Sequence, residues 1–218
     1  MMFADRRDAG RRLAAALAHY RGQLLLVLAV PRGGVLVARE VADFLHAPLS
    51  VIVPRKLRAP YNPELAIGAV AEGGAVFIDD DLAGTAGPAY LAQEVAAQRA
   101  EIARRVEVYR GGKPLPDLTR TCAIVVDDGI ATGATVVAAL RAVRTLHPAR
   151  LVVAVPVAPP DSLARLAKEA DEVVCLQAPE EFHAVGQFYA DFTQVDDQTV
   201  LAVLGGAGGE RAPEERGR

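Results

Sequence analysis

Residues 124–135 read Ile124-Val125-Val126-Asp127-Asp128-Gly129-Ile130-Ala131-Thr132-Gly133-Ala134-Thr135. An apolar run ends in two adjacent carboxylates. A tight loop with two glycines follows, two hydroxyls stand three residues apart, and a helical pattern then runs to about Leu146. An apolar run without polar alternation suits a strand buried on both faces, as in a parallel sheet. Backbone N–H groups of such a loop, together with the helix N-terminus, form an anion cradle. Glycines let the backbone approach the anion closely, and threonine hydroxyls add neutral donors to phosphate oxygens. Carboxylates would repel a phosphate, so Asp127 and Asp128 are left to contact sugar hydroxyls or a metal. Taken singly, each feature also describes a solvated strand end and a Thr-capped helix; their order within one segment argues for the cradle. A Walker A loop fails because Ala134 and Thr135, not lysine, follow Gly133.

Working outward, the same rhythm repeats. Leu24–Val30 is a second continuous apolar run, followed by Pro31-Arg32-Gly33-Gly34 and a helical pattern over Val35–Leu45. Pro48–Val53 reads as a strand ending in Pro54-Arg55-Lys56, and residues 57–64, with two prolines, read as loop. Leu65–Val70 and Ala75–Ile78 flank Glu72-Gly73-Gly74 as a hairpin. Pro88 opens a helix over Ala89–Tyr109. Leu151–Val157 and Glu172–Leu176 are further strands, around a helix over Asp161–Ala170 with Asp161 as N-cap. A helix over Asp5–Tyr20 precedes them all. Strand–helix–strand alternation predicts an α/β fold: a parallel sheet with helices on both faces. Residues 1–177 form this core, with 57–118 as a flap or cover. Residues 178–204 break the rhythm and hold Phe182, Phe188, Tyr189 and Phe192. Residues 205–218 are Gly-rich, then charged, and read as a flexible tail; no strand–turn–helix surrounds their glycines, so they are no dinucleotide loop.

Composition narrows the function classes. The chain has 218 residues, 51% hydrophobic and 23% charged, which excludes wholesale disorder. No apolar run approaches the roughly 20 residues of a membrane span. No small-residue cleavage site follows the first apolar run, so no signal peptide is read. A net charge of −3 argues against a dedicated nucleic-acid binder. Two cysteines, Cys122 and Cys175, make neither a disulfide framework nor a zinc site; both lie in apolar runs, as buried thiols in a reducing cytoplasm do. Ser50 and Ser162 lack a Gly-x-Ser-x-Gly setting, which argues against a serine hydrolase. His19, His46, His147 and His183 lack metal-ligand spacing, although His183 falls among the C-terminal aromatics. Asp79, Asp80 and Asp81 read as a solvated loop rather than a second cation site.

The 124–135 segment resembles the signature of the type I phosphoribosyltransferases: four apolar residues, two acids, three variable positions, then Thr-Gly-x-Thr. The likeness extends over about residues 23–177. It implies a Rossmann-like core with a small C-terminal hood. It implies that Asp127 and Asp128 face the ribose 2- and 3-hydroxyls of 5-phosphoribosyl 1-pyrophosphate (PRPP), and that Gly129, Ile130, Ala131, Thr132, Gly133, Ala134 and Thr135 hold the 5-phosphate. Arg32, Gly33 and Gly34 fall where the family places its pyrophosphate loop, with Pro31–Arg32 as the candidate for its strained or cis peptide. Arg55 and Lys56 match a basic pair that meets the pyrophosphate in relatives acting on orotate, and Lys56 joins the two aspartates as a catalytic candidate. The expected activity is transfer of a phosphoribosyl group to a nitrogenous base, with release of pyrophosphate. The alternative is a non-catalytic PRPP-binding regulator. Mg2+ is the expected cofactor, held mostly through PRPP and water, with no direct protein ligand. The partners are PRPP and a small-molecule base, without nucleic acid or membrane, in a cytoplasmic homodimer. Ala131 stands where 6-oxopurine enzymes carry an aspartate, and Leu151–Val157 lacks their lysine, which argues against hypoxanthine or guanine. Within the hood, Phe188 or Tyr189 is the candidate to stack on the acceptor. Strand-end carboxylates that serve a ligand predict that Asp128→Asn leaves folding stability little changed.

Overall fold

The computed structural model describes residues 2–79 and 81–206. Leu25–Ala29 forms β1, fully buried as its unbroken apolar run requires. Helix α2 (Gly34–Leu45) carries the chain to β2 (Leu49–Val51), parallel to β1 on one side. On the other side lies β6 (Cys122–Val126), in register Leu25 with Cys122 through Ala29 with Val126. Helix α4 (Ala134–Arg144), β7 (Arg150–Val157), α5 (Pro160–Leu166) and β8 (Glu172–Gln177) complete a five-stranded parallel sheet, ordered β2-β1-β6-β7-β8.

Side-chain alternation along the strands divides the interior into two layers. Val27, Ala29, Ile124 and Val126 face one layer with α2 and α1 (Arg6–Ala16). Leu26, Leu28, Val125 and Val153 face the other with α4 and Leu166 of α5. Burial pushes the Cys122 thiol up to about 11, as expected for an inert core thiol. From β1 the chain crosses to β2 on one side, whereas from β6 it crosses to β7 on the other. The β1–β6 boundary is therefore the switch point of the sheet, and α/β folds of this kind open a crevice at the carboxyl ends of such strands. The loops at those two ends are 30–33 and 127–133.

Three expectations change. Residues 57–64 are not a loop: β3 (Pro54–Ala59) and β4 (Asn62–Ala71) form a hairpin, joined antiparallel by β5 (Val76–Ile78) in a separate three-stranded sheet. Burial alternates along β3, with Leu57 and Ala59 inside and Lys56 and Arg58 outside, and Pro60 falls in the turn, where a proline is tolerated. Arg55 and Lys56 thus begin this second sheet rather than end a core strand. Pro159, not Asp161, is the N-cap of α5; Asp161 sits in the first turn, where a carboxylate favours the helix dipole. The first helix ends at Ala16, and a 3-10 turn covers Ala18–Tyr20. Of the expected tail, Gly205 closes α6 (Asp197–Gly205) and residues 207–218 lie outside the described residues, as does Asp80 of the acidic triplet. The long helix is α3 (Pro88–Arg110), with Pro88 in its first turn. The small sheet lies between α3 and α4: Leu57 and Ile67 share a layer with Ile102, while Ala69 and Ala71 share one with α4. Among the described residues no helix is long and apolar enough to cross a membrane.

Candidate functional site

The loop after β6 keeps its backbone open toward a cavity. Gly133, the N-cap of α4, has φ 80°, a left-handed conformation that glycine adopts without steric cost. Ile130 is buried, and its N–H donates to the Val157 carbonyl at 2.9 Å, fixing the loop to β7. From α5, Ser162 Oγ donates to the Ala131 carbonyl, and Arg165 Nη1 donates to the Thr132 carbonyl at 3.3 Å while pairing with Asp79 at 3.1 Å. These carbonyls are held from behind. Lys56, Asp127, Gly129, Ile130, Ala131, Thr132, Gly133 and Thr135 then line one cavity of about 150 Å3, together with Val136 and Val185. Ala134 is buried at the helix start and does not line it.

The loop after β1 presses against the two aspartates. The Pro31–Arg32 bond is cis. A Cβ on Gly33 would fall 1.9 Å from Asp128 Oδ2, and one on Gly34 would fall 2.9 Å from the Asp127 Cα. Glycine is the residue that lets the two strand ends meet. The two carboxylates differ sharply. Asp127 accepts from the Asp128 N–H at 2.8 Å. Asp127 is half-buried where it lines the cavity, and desolvation there, reinforced by the neighbouring Asp128 charge, pushes its carboxyl well above the usual range. Asp128 instead accepts from Arg6 Nε at 2.6 Å, in a pair whose side chains are only 9% and 14% exposed.

A second cavity, of about 310 Å3, shares Lys56 and Thr135 with the first and adds Pro31, Pro54, Arg55, Arg58, Ala66 and Arg105. Its charged lining is entirely cationic. Arg55 Nε donates to Gln98 Oε1 at 3.0 Å. Burial, and then the nearby Arg105, lowers the Arg55 pKa, so this guanidinium carries the cost of a crowded positive site. Arg105 is held by Glu101 at 2.8 Å, and that carboxyl is drawn down to about 2 by Arg104 and Arg105. Arg32 points elsewhere, toward Asp197 of α6 at 3.8 Å.

The family model for the phosphoribosyl transferase domain matches residues 5–193. The chain belongs to the phosphoribosyl transferase family. It is similar to "Putative phosphoribosyl transferase Rv0571c" of Mycobacterium tuberculosis H37Rv and to its counterpart MT0597 in strain CDC 1551, each 49% identical over 205 residues. Those matches cover 93% of this chain and 46% of each relative, so the chain spans less than half the length of these curated relatives. Among solved structures, TT1426 from Thermus thermophilus superposes with a TM-score of 0.81 at 46% identity, covering 96% of this chain and 100% of that one. AQ2163 from Aquifex aeolicus, at 13% identity and a TM-score of 0.52 over 83% of this chain and 78% of that one, shares the fold.

The 178–204 segment is fastened to the N-terminal segment. Phe3 pairs with Tyr189 in an isolated parallel bridge, and the two rings lie 5.3 Å apart. Tyr189 is 5% exposed, and its hydroxyl donates to the Asp128 carbonyl. The expected stacking role for Tyr189 is therefore corrected: its ring is packing and its hydroxyl supports the aspartate loop. The spacing of aromatics three and four apart signals burial here, because the Phe3 ring waits on the far side. Phe188 packs on Phe182 at 5.2 Å and lines neither ligand cavity. His183 is exposed. Sequence reading missed Arg6, Arg58, Arg105, Ser162 and Arg165. Arg58 was legible in principle, two residues after Lys56 on the same face of an alternating strand; the others reach the site only through tertiary packing.

Proposed function

We propose that the chain is a PRPP-dependent phosphoribosyltransferase that transfers the phosphoribosyl group to a nitrogenous base and releases pyrophosphate. The observation that carries this reading is the pair of adjoining cavities at the switch point: a glycine–threonine cradle bordered by Asp127 on one side, a cationic chamber on the other, and Lys56 shared between them. A 5-phosphate fits the cradle, where backbone N–H groups and the N-terminus of α4 meet it. Pyrophosphate fits the chamber of Arg55, Lys56, Arg58 and Arg105. Asp127 and Asp128 then face the ribose hydroxyls and favour positive charge at the ring. Lys56, common to both cavities, steadies the departing pyrophosphate as its charge grows, and preorganised electrostatics of this kind supplies most of the acceleration. Closure of the β3–β4 hairpin excludes water.

Magnesium would fit beside Asp127, the carboxylate that lines the smaller cavity, and would be held there mostly through PRPP and water. When bound, the ion neutralises leaving-group charge. We carry forward a cytoplasmic homodimer as the working assembly. Pyrophosphate release from PRPP and Mg2+ across a panel of bases is the test. Release with one base supports the enzyme and names its acceptor. PRPP binding without release under every base assigns the chain to the regulator class, and failure to bind PRPP overturns both readings.

A further inference from the structure

Arg6 is 8% exposed, and burying a guanidinium costs free energy unless it is fully engaged. Its contacts reach distant parts of the chain. Nε donates to Asp128 Oδ2 at 2.6 Å, Nη1 donates to the Thr193 carbonyl at 2.8 Å, and the guanidinium lies over the Phe192 ring at 3.8 Å. It also borders the loop after β1, since a Cβ on Gly33 would fall 2.9 Å from Arg6 Nε. Tyr189 closes the circuit from the hood by donating to the Asp128 backbone carbonyl.

We propose that Arg6 is a positioning residue for the ribose site, acting through Asp128, so that the N-terminal helix and the hood belong to the reaction centre and are not merely its cover. The proposal rests on the function proposed above. Asp127 lines the cavity proposed for a polyanion, and Asp128 sets a second carboxylate directly beside it. Arg6 offsets the charge of one of them and fixes its orientation, and the hood fixes Arg6. The burial that disfavours charge on Asp127 makes this compensation at Asp128 the more necessary.

The test compares ribose 5-phosphate with inorganic phosphate as calorimetric probes of the same protein, with PRPP turnover measured alongside. Arg6→Gln is expected to weaken ribose 5-phosphate by about tenfold, as loss of a charge-assisted contact does, and to leave phosphate affinity unchanged. Arg6→Lys, which keeps the charge, should recover part of the loss, and it supplies the comparison if Arg6→Gln does not fold. Because Arg6 acts through Asp128, the double variant Arg6→Gln/Asp128→Asn should bind no more weakly than Asp128→Asn alone. Parallel loss of both probes, multiplying effects in the double variant, or a lowered melting temperature with unchanged ribose 5-phosphate affinity would each overturn the proposal. A parent protein that binds neither PRPP nor ribose 5-phosphate overturns the function itself; a parent that binds both, with variants that match it, overturns only the role of Arg6.

Discussion

Charge on Asp127 works against the folded state, and charge on Asp128 works with it, so their amides should part company. A raised carboxyl contributes stability that is present below the ordinary carboxylate value and lost as pH rises through the higher folded value. At neutral pH the parent therefore bears a penalty from Asp127 that it does not bear in acid. Asp127→Asn should melt higher than the parent at pH 7, with the gap closing on acidification, while PRPP turnover falls; thermal melts across pH read this directly. Asp128→Asn should instead melt lower than the parent, and its PRPP turnover should fall as well. It removes the counter-charge of the nearly buried Arg6, although the amide oxygen can still accept from Nε. A loss of roughly 1–3 kcal/mol is expected, below the range for stripping a fully buried pair. That replaces the sequence-based expectation of little change, because the partner lies 122 positions away and leaves no local trace. Thr132→Val keeps volume and deletes one hydroxyl. It should cost about 0.5–1.5 kcal/mol of phosphate affinity by titration, with stability unaffected, since the residue is exposed.

Among the elements, α3 and the hood take roles that their own patterns do not announce. The charged pattern of α3 reads as a solvated face or as a cover over the site, and the structure sends Arg105 into the cationic chamber and steadies β3, with Glu94 accepting the Arg58 N–H and Tyr90 Oη donating to the Arg58 carbonyl. Arg105→Gln should weaken pyrophosphate binding, with a smaller salt dependence than the parent, and leave inorganic phosphate in the cradle unchanged; binding isotherms at two ionic strengths separate the two. The hood carries aromatic faces that suit a heterocycle in composition, but Phe3 and Arg6 of the N-terminal segment occupy two of them. Tyr189→Phe retains the ring and removes the donor to Asp128. It should lower stability by about 1 kcal/mol in chemical denaturation and reduce turnover without raising the acceptor KM, whereas a stacking residue would raise it.

At the scale of the molecule, the cradle belongs to the five-stranded sheet and the chamber largely to the three-stranded one. A ligand that fills both should tie the two sheets together. At one hundred times its Kd, PRPP adds about 2.7 kcal/mol to the folded state. Hydrogen exchange should show new protection in the β3–β4 hairpin with PRPP and Mg2+, but not with inorganic phosphate, which reaches only the cradle. Equal protection by both ligands would mean that the chamber is not part of the PRPP site.

Local chemistry determined much of this protein. Unbroken apolar runs at 25–29, 122–126 and 151–157 have no polar face to offer water, so burial in a parallel sheet was legible from them alone. The order of carboxylates, glycines and threonines after Val126 marked the loop that lines the smaller cavity, because such a loop is made by consecutive residues. What tertiary structure decided was everything built from distant partners. Residues 57–64 became strand because α3 and α4 cover both faces of the hairpin, which no window of eight residues records. Arg6 stands in a run of arginines and aspartates that reads as solvated, and only the fold brings Asp128, Phe192 and Thr193 around it. Tyr189 carries an aromatic signal in either role; the neighbour that fills its face, Phe3, is at the other end of the chain, and proximity across that separation is a property of the folded molecule.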